Sequence, residues 1–270
     1  TAVPEAANVQ GPLQPRNVLS AVGQGTLATM SELKSTVAFL GEMTLAVGRA
    51  MVGRARFRRK DLITMLHMCG PEALGIISLI AFLMGLILAF VGAIQLRLFG
   101  AEIYVADLVG IGIVREMGAI MTGVVMAGRS GAAFAAQIGT MQVNEEVDAL
   151  RTTGVDPVDF LVLPRLLAMT LMMPLLCLYA DVMGILGGMV VGVGMLGVGM
   201  RQYWNETCLA LTLNDVAVGL FMALVFGILV SLAGCLRGMQ CGRSSSAVGR
   251  AATSAVVTGI VWVVVATAVI

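Results

Sequence analysis

Charge is scarce in this sequence. Asp, Glu, Lys and Arg together make up 12% of its 270 residues, against 58% hydrophobic residues. A soluble domain carries about 25% charged residues, and half that cannot cover a water-soluble globule of this size. A soluble enzyme and a disordered chain are thereby excluded. The net charge is +1, so no global field steers nucleic acid, and no nucleic-acid partner is expected. Lysine is nearly missing: only Lys34 and Lys60 occur, and neither follows a glycine. A P-loop needs Gly-Lys followed by Ser or Thr to cradle phosphates, so these residues form no such ATPase site. There is one histidine, His67, and the five cysteines (Cys69, Cys177, Cys208, Cys235 and Cys241) show no Cys-x-x-Cys spacing. No zinc site or disulfide framework is expected. The cysteines read as small apolar fillers, and no cofactor or metal is expected on the chain itself.

What is present instead is a set of long runs without charge. Residues 73–96, 216–236 and 251–270 hold none. At about 1.5 Å per helical residue each can cross a hydrocarbon core of about 30 Å. The stretch 108–128 is apolar apart from Arg115 and Glu116, and 166–200 apart from Asp181. The expected spans are about 73–96, 108–128, 164–186, 216–236 and 251–270, with 187–199 a Gly-rich segment packed at the membrane face. With five spans, fourteen Lys and Arg residues fall on one side and two, Arg97 and Arg201, on the other. By the positive-inside rule the N-terminus is cytoplasmic and the C-terminus periplasmic.

The remaining segments fit around those spans. The first residue is Thr1, as in a processed chain or a fragment, and no signal peptide is visible in 1–26. That stretch reads as a linker, interrupted by Pro4, Pro12, Pro15, Gly23 and Gly25. The domain then covers 27–270. Over 31–51, Leu33, Val37, Leu40, Leu45 and Val47 recur near helical spacing, which predicts a helix lying in the interface, followed by a basic run over 54–60 suited to an anionic leaflet. The expected fold class is thus an all-α polytopic membrane protein: an N-terminal interfacial helix, about five transmembrane helices and a helix on the cytoplasmic face.

That last helix comes from the connection 129–165, which is long for a loop between spans. Residues 141–152 contain no Gly or Pro, Gly154 ends the helix, and Asp156 with Pro157 turns the chain back to the bilayer. The expected helix, about 141–153, carries Glu145, Glu146, Asp148 and Arg151. It is either a solvated connector or a docking helix for a cytoplasmic partner. Arg115 and Glu116 lie roughly 10–12 Å below the outer boundary, where an ionised side chain costs about 2.5–3.5 kcal/mol. Neighbouring helix residues do not face each other, so each needs its own partner. An interhelical salt bridge and a polar spot in a lipid cavity are both open, the latter using Arg115 as a planar multi-donor cation. Asp181 reads as a hydrogen-bonding residue between helices.

A family resemblance narrows these choices. The segment VREMGAIMTGVVMAGRSGAAFAAQIGTMQVNEEVDALRTTGVDP (114–157), with VLPRLLA (162–168), Ala180-Asp181, Gly184, Gly187-Gly188, and Val248-Gly249-Arg250-Ala251, resembles the signature of the MlaE/YrbE family of permeases. Within that pattern Gln137 stands where glutamate is usual, Met222 where many members carry lysine, and Thr267 where aspartate is common. The resemblance implies the permease subunit of an ABC transporter that moves phospholipid or a related lipid between inner and outer membranes. It implies a second copy of the chain, a cytoplasmic ABC ATPase that binds ATP and Mg, and a periplasmic MCE-domain lipid-binding protein. The site is the bacterial inner membrane. Arg115 and Glu116 become the substrate-binding pair, and Glu145, Glu146, Asp148, Arg151, Gly154, Asp156 and Pro157 the coupling segment. The rival readings are an ion-coupled secondary transporter using Asp181 and Glu116, and a non-transporting scaffold for a lipid-binding protein.

Overall fold

The computed structural model describes residues 18–51 and 59–270, and among these it is helical, without strands. The chain divides after Leu45 into two compact units. The helix Val18–Met51, of which residues from Ala46 on belong to the second unit, begins thirteen residues before the expected start at 31, within the stretch assigned to a linker. It runs through Gly23 and Gly25. Glycine weakens a helix interior by about 1 kcal/mol relative to alanine without ending it, and no proline occurs between Pro15 and Pro71. Residues 1–17, and most of the basic run 54–60, lie outside the described residues.

The second unit carries five helices long and apolar enough to cross a membrane: Lys60–Arg97, Glu102–Val143, Val158–Gly194, Leu213–Met239 and Ser245–Val269, here spans 1 to 5. The chain is therefore an all-α, multi-pass membrane protein. Span 1 is jointed at Pro71, which opens a short 3-10 turn ahead of the crossing helix Leu74–Arg97. Proline suits a first helical position because its missing N–H has no intrahelical partner there.

Two spans extend beyond the expected crossings by more than a helical turn at each end. Span 2 is 42 residues long and continues past 128 to Val143, so the expected 37-residue connection shrinks to 144–157. The segment Ala132–Val143 has no residue that stops a helix, and helical hydrogen bonding does not end where hydrocarbon ends. Span 3 starts at Val158 and reaches Gly194, so 187–194 is helix and not a separate face-packed segment. Its glycines are contact sites. A Cβ on Gly187 would collide with the Phe82 carbonyl and one on Gly85 with that of Gly184, so spans 1 and 3 cross backbone to backbone. The chain leaves the helix only near Gly197, at φ +68. A helix that the sequence reading did not place, Met200–Ala210, follows. Tyr203, fully buried, seats it over Gly188 and Gly192 of span 3.

Spans 2, 3 and 4 hold most of the interior. Gly219 of span 4 abuts the Val114 carbonyl, and Gly234 the Gly131 carbonyl. Small residues at helix crossings are what a membrane interior requires, because close packing replaces the hydrophobic effect there. Spans 1 and 5 are largely exposed, with faces such as Leu79, Leu83 and Ile87, and Val257, Val261 and Val264. Only lipid or another apolar protein surface can cover such faces stably.

Candidate functional site

The functional residues gather at two ends of the helical bundle. One end holds Arg49, Arg129, Arg165 and Arg243, and the other the start of span 2.

At the basic end, span 2 stops at Val143. Asn144 donates to Glu146 at 3.2 Å, and Glu145 takes a left-handed conformation, φ 60. The helix Glu146–Thr152 follows, so the expected helix over 141–153 is shorter by its whole first part: 141–143 belong to span 2 and Glu145 is the hinge. Gly154, at φ +76, closes the helix, its N–H reaching the Arg151 carbonyl while the Val155 N–H reaches that of Leu150. That is a Schellman ending, which favours glycine because φ is positive. Asp156 accepts from the Val158 N–H at 3.0 Å and so caps span 3, next to the buried Pro157. Val147 is buried, whereas Glu146, Ala149, Arg151 and Thr152 point outward.

Arginines from elsewhere fasten this segment. Arg243, between spans 4 and 5, lies 3.0 Å from Asp148 and 3.9 Å from Glu145. Arg151 sits 3.7 Å from Asp148. Arg49 bridges Asp156 at 3.0 Å and Asp159 at 2.6 Å. Its hydrogen bond to Asp159, with the charges of both carboxylates, raises the guanidinium pKa against a smaller opposing effect of burial. Deeper in, Arg129 donates to the Met68 carbonyl at 2.7 Å and pairs with Glu72 at 2.9 Å, tying span 2 to the joint of span 1. Arg165, buried, donates to the side-chain oxygen of Gln137 at 3.2 Å and to the Leu161 carbonyl, and lies over the Phe134 ring. Gln137, which the sequence marked only as a departure from a pattern, is thus a neutral partner to a buried cation.

At the opposite end, Arg115 and Glu116 lie in a π turn, Ile113–Met117. The wider turn inserts a residue into the helix, a feature frequent at functional sites. Arg115, half-exposed, reaches Asp215 at 3.4 Å. Asp215 is otherwise engaged at the head of span 4, accepting from the Thr212 hydroxyl at 2.6 Å and from its N–H at 3.1 Å, in a capping box. Glu116 is exposed, with no ion pair or hydrogen bond among the described residues. The two charges therefore do not neutralise each other, and only one has a partner. Asp215 borders the charge-free run 216–236. Its signal was the Thr212-x-x-Asp215 spacing, a capping-box pattern. An open, mainly apolar groove of about 710 Å³ runs between spans 1 and 2 at this end, lined by Leu88, Val91, Tyr104, Asp107 and Ile111 among others.

Among the described residues Asp181 has neither a Ser, Thr nor backbone partner. It is 6% exposed, the Cys177 thiol approaches one carboxyl oxygen at 3.9 Å, and the other oxygen is unpartnered. Met222 and Thr267 are apolar-facing or self-satisfied, the first buried and the second donating to the Val263 carbonyl at 2.9 Å. Among the described residues no group of three His, Cys, Asp or Glu side chains gathers as a metal site would need.

Five apolar spans, a capped helix held at one end and a half-paired charge within a span at the other define a multi-pass, all-α membrane protein with two unlike polar regions. The family described as Permease MlaE matches residues 62–270. A probable ABC transporter permease protein of Rickettsia typhi is 38% identical over 204 residues, covering 76% of this chain and 79% of its own. The intermembrane phospholipid transport system permease protein MlaE of Haemophilus influenzae is 30% identical over 221 residues, 81% of this chain and 85% of its own. The chloroplastic protein TRIGALACTOSYLDIACYLGLYCEROL 1 of Arabidopsis thaliana is 29% identical over 218 residues, 81% of this chain and 62% of its own. The chain belongs to the MlaE permease family.

Proposed function

We propose that this chain is the membrane-spanning half of an ABC transporter for phospholipid or a related amphiphile in a bacterial inner membrane. Two copies flank a lipid path, ATP and Mg are bound by a cytoplasmic ATPase, and a periplasmic MCE-domain protein exchanges lipid at the far end. The N-terminus is cytoplasmic and the C-terminus periplasmic. The observation that carries this reading is the pairing of two unlike ends on one continuous helix. Span 2 carries the half-free Arg115 and Glu116 within its first half and ends next to the capped helix Glu146–Thr152.

The steps follow from the residues. An ATPase contacts the outward face of Glu146, Ala149, Arg151 and Thr152. Movement of that helix reaches span 2 through Asn144 and Glu145, span 3 through Asp156 and Pro157, and the turn between spans 4 and 5 through Arg243. At the other end Arg115 exchanges the Asp215 carboxylate for an anionic headgroup, which its planar guanidinium can grip with several donors. Glu116, unpaired, repels a second anion or takes an ammonium group. Acyl chains lie along apolar surfaces such as the groove between spans 1 and 2.

The test is mass spectrometry of lipids retained by the complex in nanodiscs, compared with bulk membrane. Enrichment of one headgroup class, lost in Arg115→Ala with Glu116→Ala, is expected. Equal lipid content with normal lipid movement in that variant would overturn the assignment and favour a scaffold. Labelling of a cysteine at position 149 from the periplasmic side in intact cells would overturn the orientation.

A further inference from the structure

The π turn that carries Arg115 and Glu116 is gripped from two neighbouring helices. On the span 4 side, the Val114 carbonyl lies against Gly219. On the span 3 side, Gly184 receives the Ile113 side chain, a Cβ there lying 2.9 Å from its Cγ2. One turn earlier on span 3, Asp181 reaches the residue that closes the π turn: a Cβ on Gly118 would collide with Asp181 Oδ1. The same position lies 3.1 Å from the Ile113 carbonyl, the oxygen that accepts the Gly118 N–H and completes the π turn.

Asp181 has the wrong surroundings for a carboxylate. It is 6% exposed, and among the described residues it pairs with no cation and its Oδ1 has no hydrogen-bond partner. The one group that approaches it, the Cys177 thiol at 3.9 Å, is a weak donor on Oδ2. An isolated ionised carboxyl in hydrocarbon neutralises rather than stays charged. Once protonated, the carboxyl is a donor, and Oδ1 abuts Gly118, whose own N–H bonds the Ile113 carbonyl, an oxygen with a second lone pair beyond the one used in the helix.

We propose that Asp181 is a positioning residue: a neutral carboxylic acid that donates to the Ile113 carbonyl, clamps the π turn of span 2, and so fixes the direction in which Arg115 and Glu116 leave the helix. Gly118 serves this by leaving the space that the carboxyl fills. The inference rests on reading Arg115 and Glu116 as the substrate-facing pair, but it makes a separate demand, on the geometry of the turn.

The experiment reads that geometry directly. Glu116→Cys is made in a Cys208→Ser background, since the other four cysteines are buried. The rate at which a water-soluble thiol reagent labels position 116 is then measured in the assembled complex. Asp181→Asn keeps a donor and is expected to leave the rate within twofold. Asp181→Leu removes the donor, and Gly118→Ala expels the carboxyl. Each is expected to change the rate at least tenfold, and if Asp181→Leu does not accumulate, the contrast between Asp181→Asn and Gly118→Ala decides. Equal disturbance by Asn and Leu would overturn the neutral-donor role, as would unchanged labelling in both Leu and Gly118→Ala. Lipid retention is read in parallel in the Glu116-containing variants. A clamp that sets labelling but not lipid retention would sink the substrate-pair reading and leave the clamp standing.

Discussion

The two ends of span 2 treat charge in opposite ways. At the basic end Arg49, Arg129 and Arg243 each meet a carboxylate at 3.0 Å or less, and several bind two groups at once. At the far end Arg115 meets Asp215 at 3.4 Å while half-exposed, and Glu116 meets nothing among the described residues. Arg49 and Arg129, each held by two groups at 3.0 Å or less, fix a geometry and pass displacement from one helix to the next. A long, half-exposed pair is easily exchanged for another partner. The contrast separates a part built to be pushed from a part built to let go.

The strongest way to break that comparison is at the pushed surface. Ala149→Arg places a bulky cation on the exposed face without touching an intrachain pair. ATPase co-purification and ATP-driven lipid transfer are expected to fall at least a hundredfold, with membrane insertion unchanged. Reversing Glu145 and Asp148 would be a poorer test, because both also face Arg243. Next is the site itself: Arg115→Ala with Glu116→Ala should lower lipid transfer about ten- to a hundredfold while the ATPase still co-purifies. Arg115→Lys should recover only part of that loss, because a point charge cannot replace the planar donor set. A smaller effect is expected from Asp215→Asn, which weakens the competitor for Arg115. Headgroup retention should rise two- to fivefold as measured by lipid mass spectrometry. The smallest effect belongs to Arg243→Ala. Exposed ion pairs contribute less than about 1 kcal/mol, so melting in detergent should drop by under about 4 °C, and a larger loss would mark the pair as structural.

The legible part of this molecule was local. Runs without charge located the crossings, Gly154 marked the end of one helix, and Asp156 with Pro157 marked the turn back to the bilayer. The stopping points were not legible. Val143 ends its helix well beyond the apolar run 108–128, and Gly194 lies beyond the expected span end at 186, because backbone hydrogen bonding continues wherever no residue prevents it. Glycines 184, 187 and 188 read as sites of close helix approach, and they are contact points. The partners of the charges were also hidden. Asp215 is 100 residues from Arg115, and Gln137 is 28 from Arg165. Nothing in either local pattern ties them together.

Composition and spacing decided by themselves that the chain lives in a bilayer, crosses it five times and exposes a short charged helix, since the transfer cost of each residue depends on that residue alone. Which charge meets which was decided only by tertiary structure. Partnering depends on how far each helix is rotated and how deep it sits. Those are set where glycines let two backbones touch, between helices that the chain order keeps far apart.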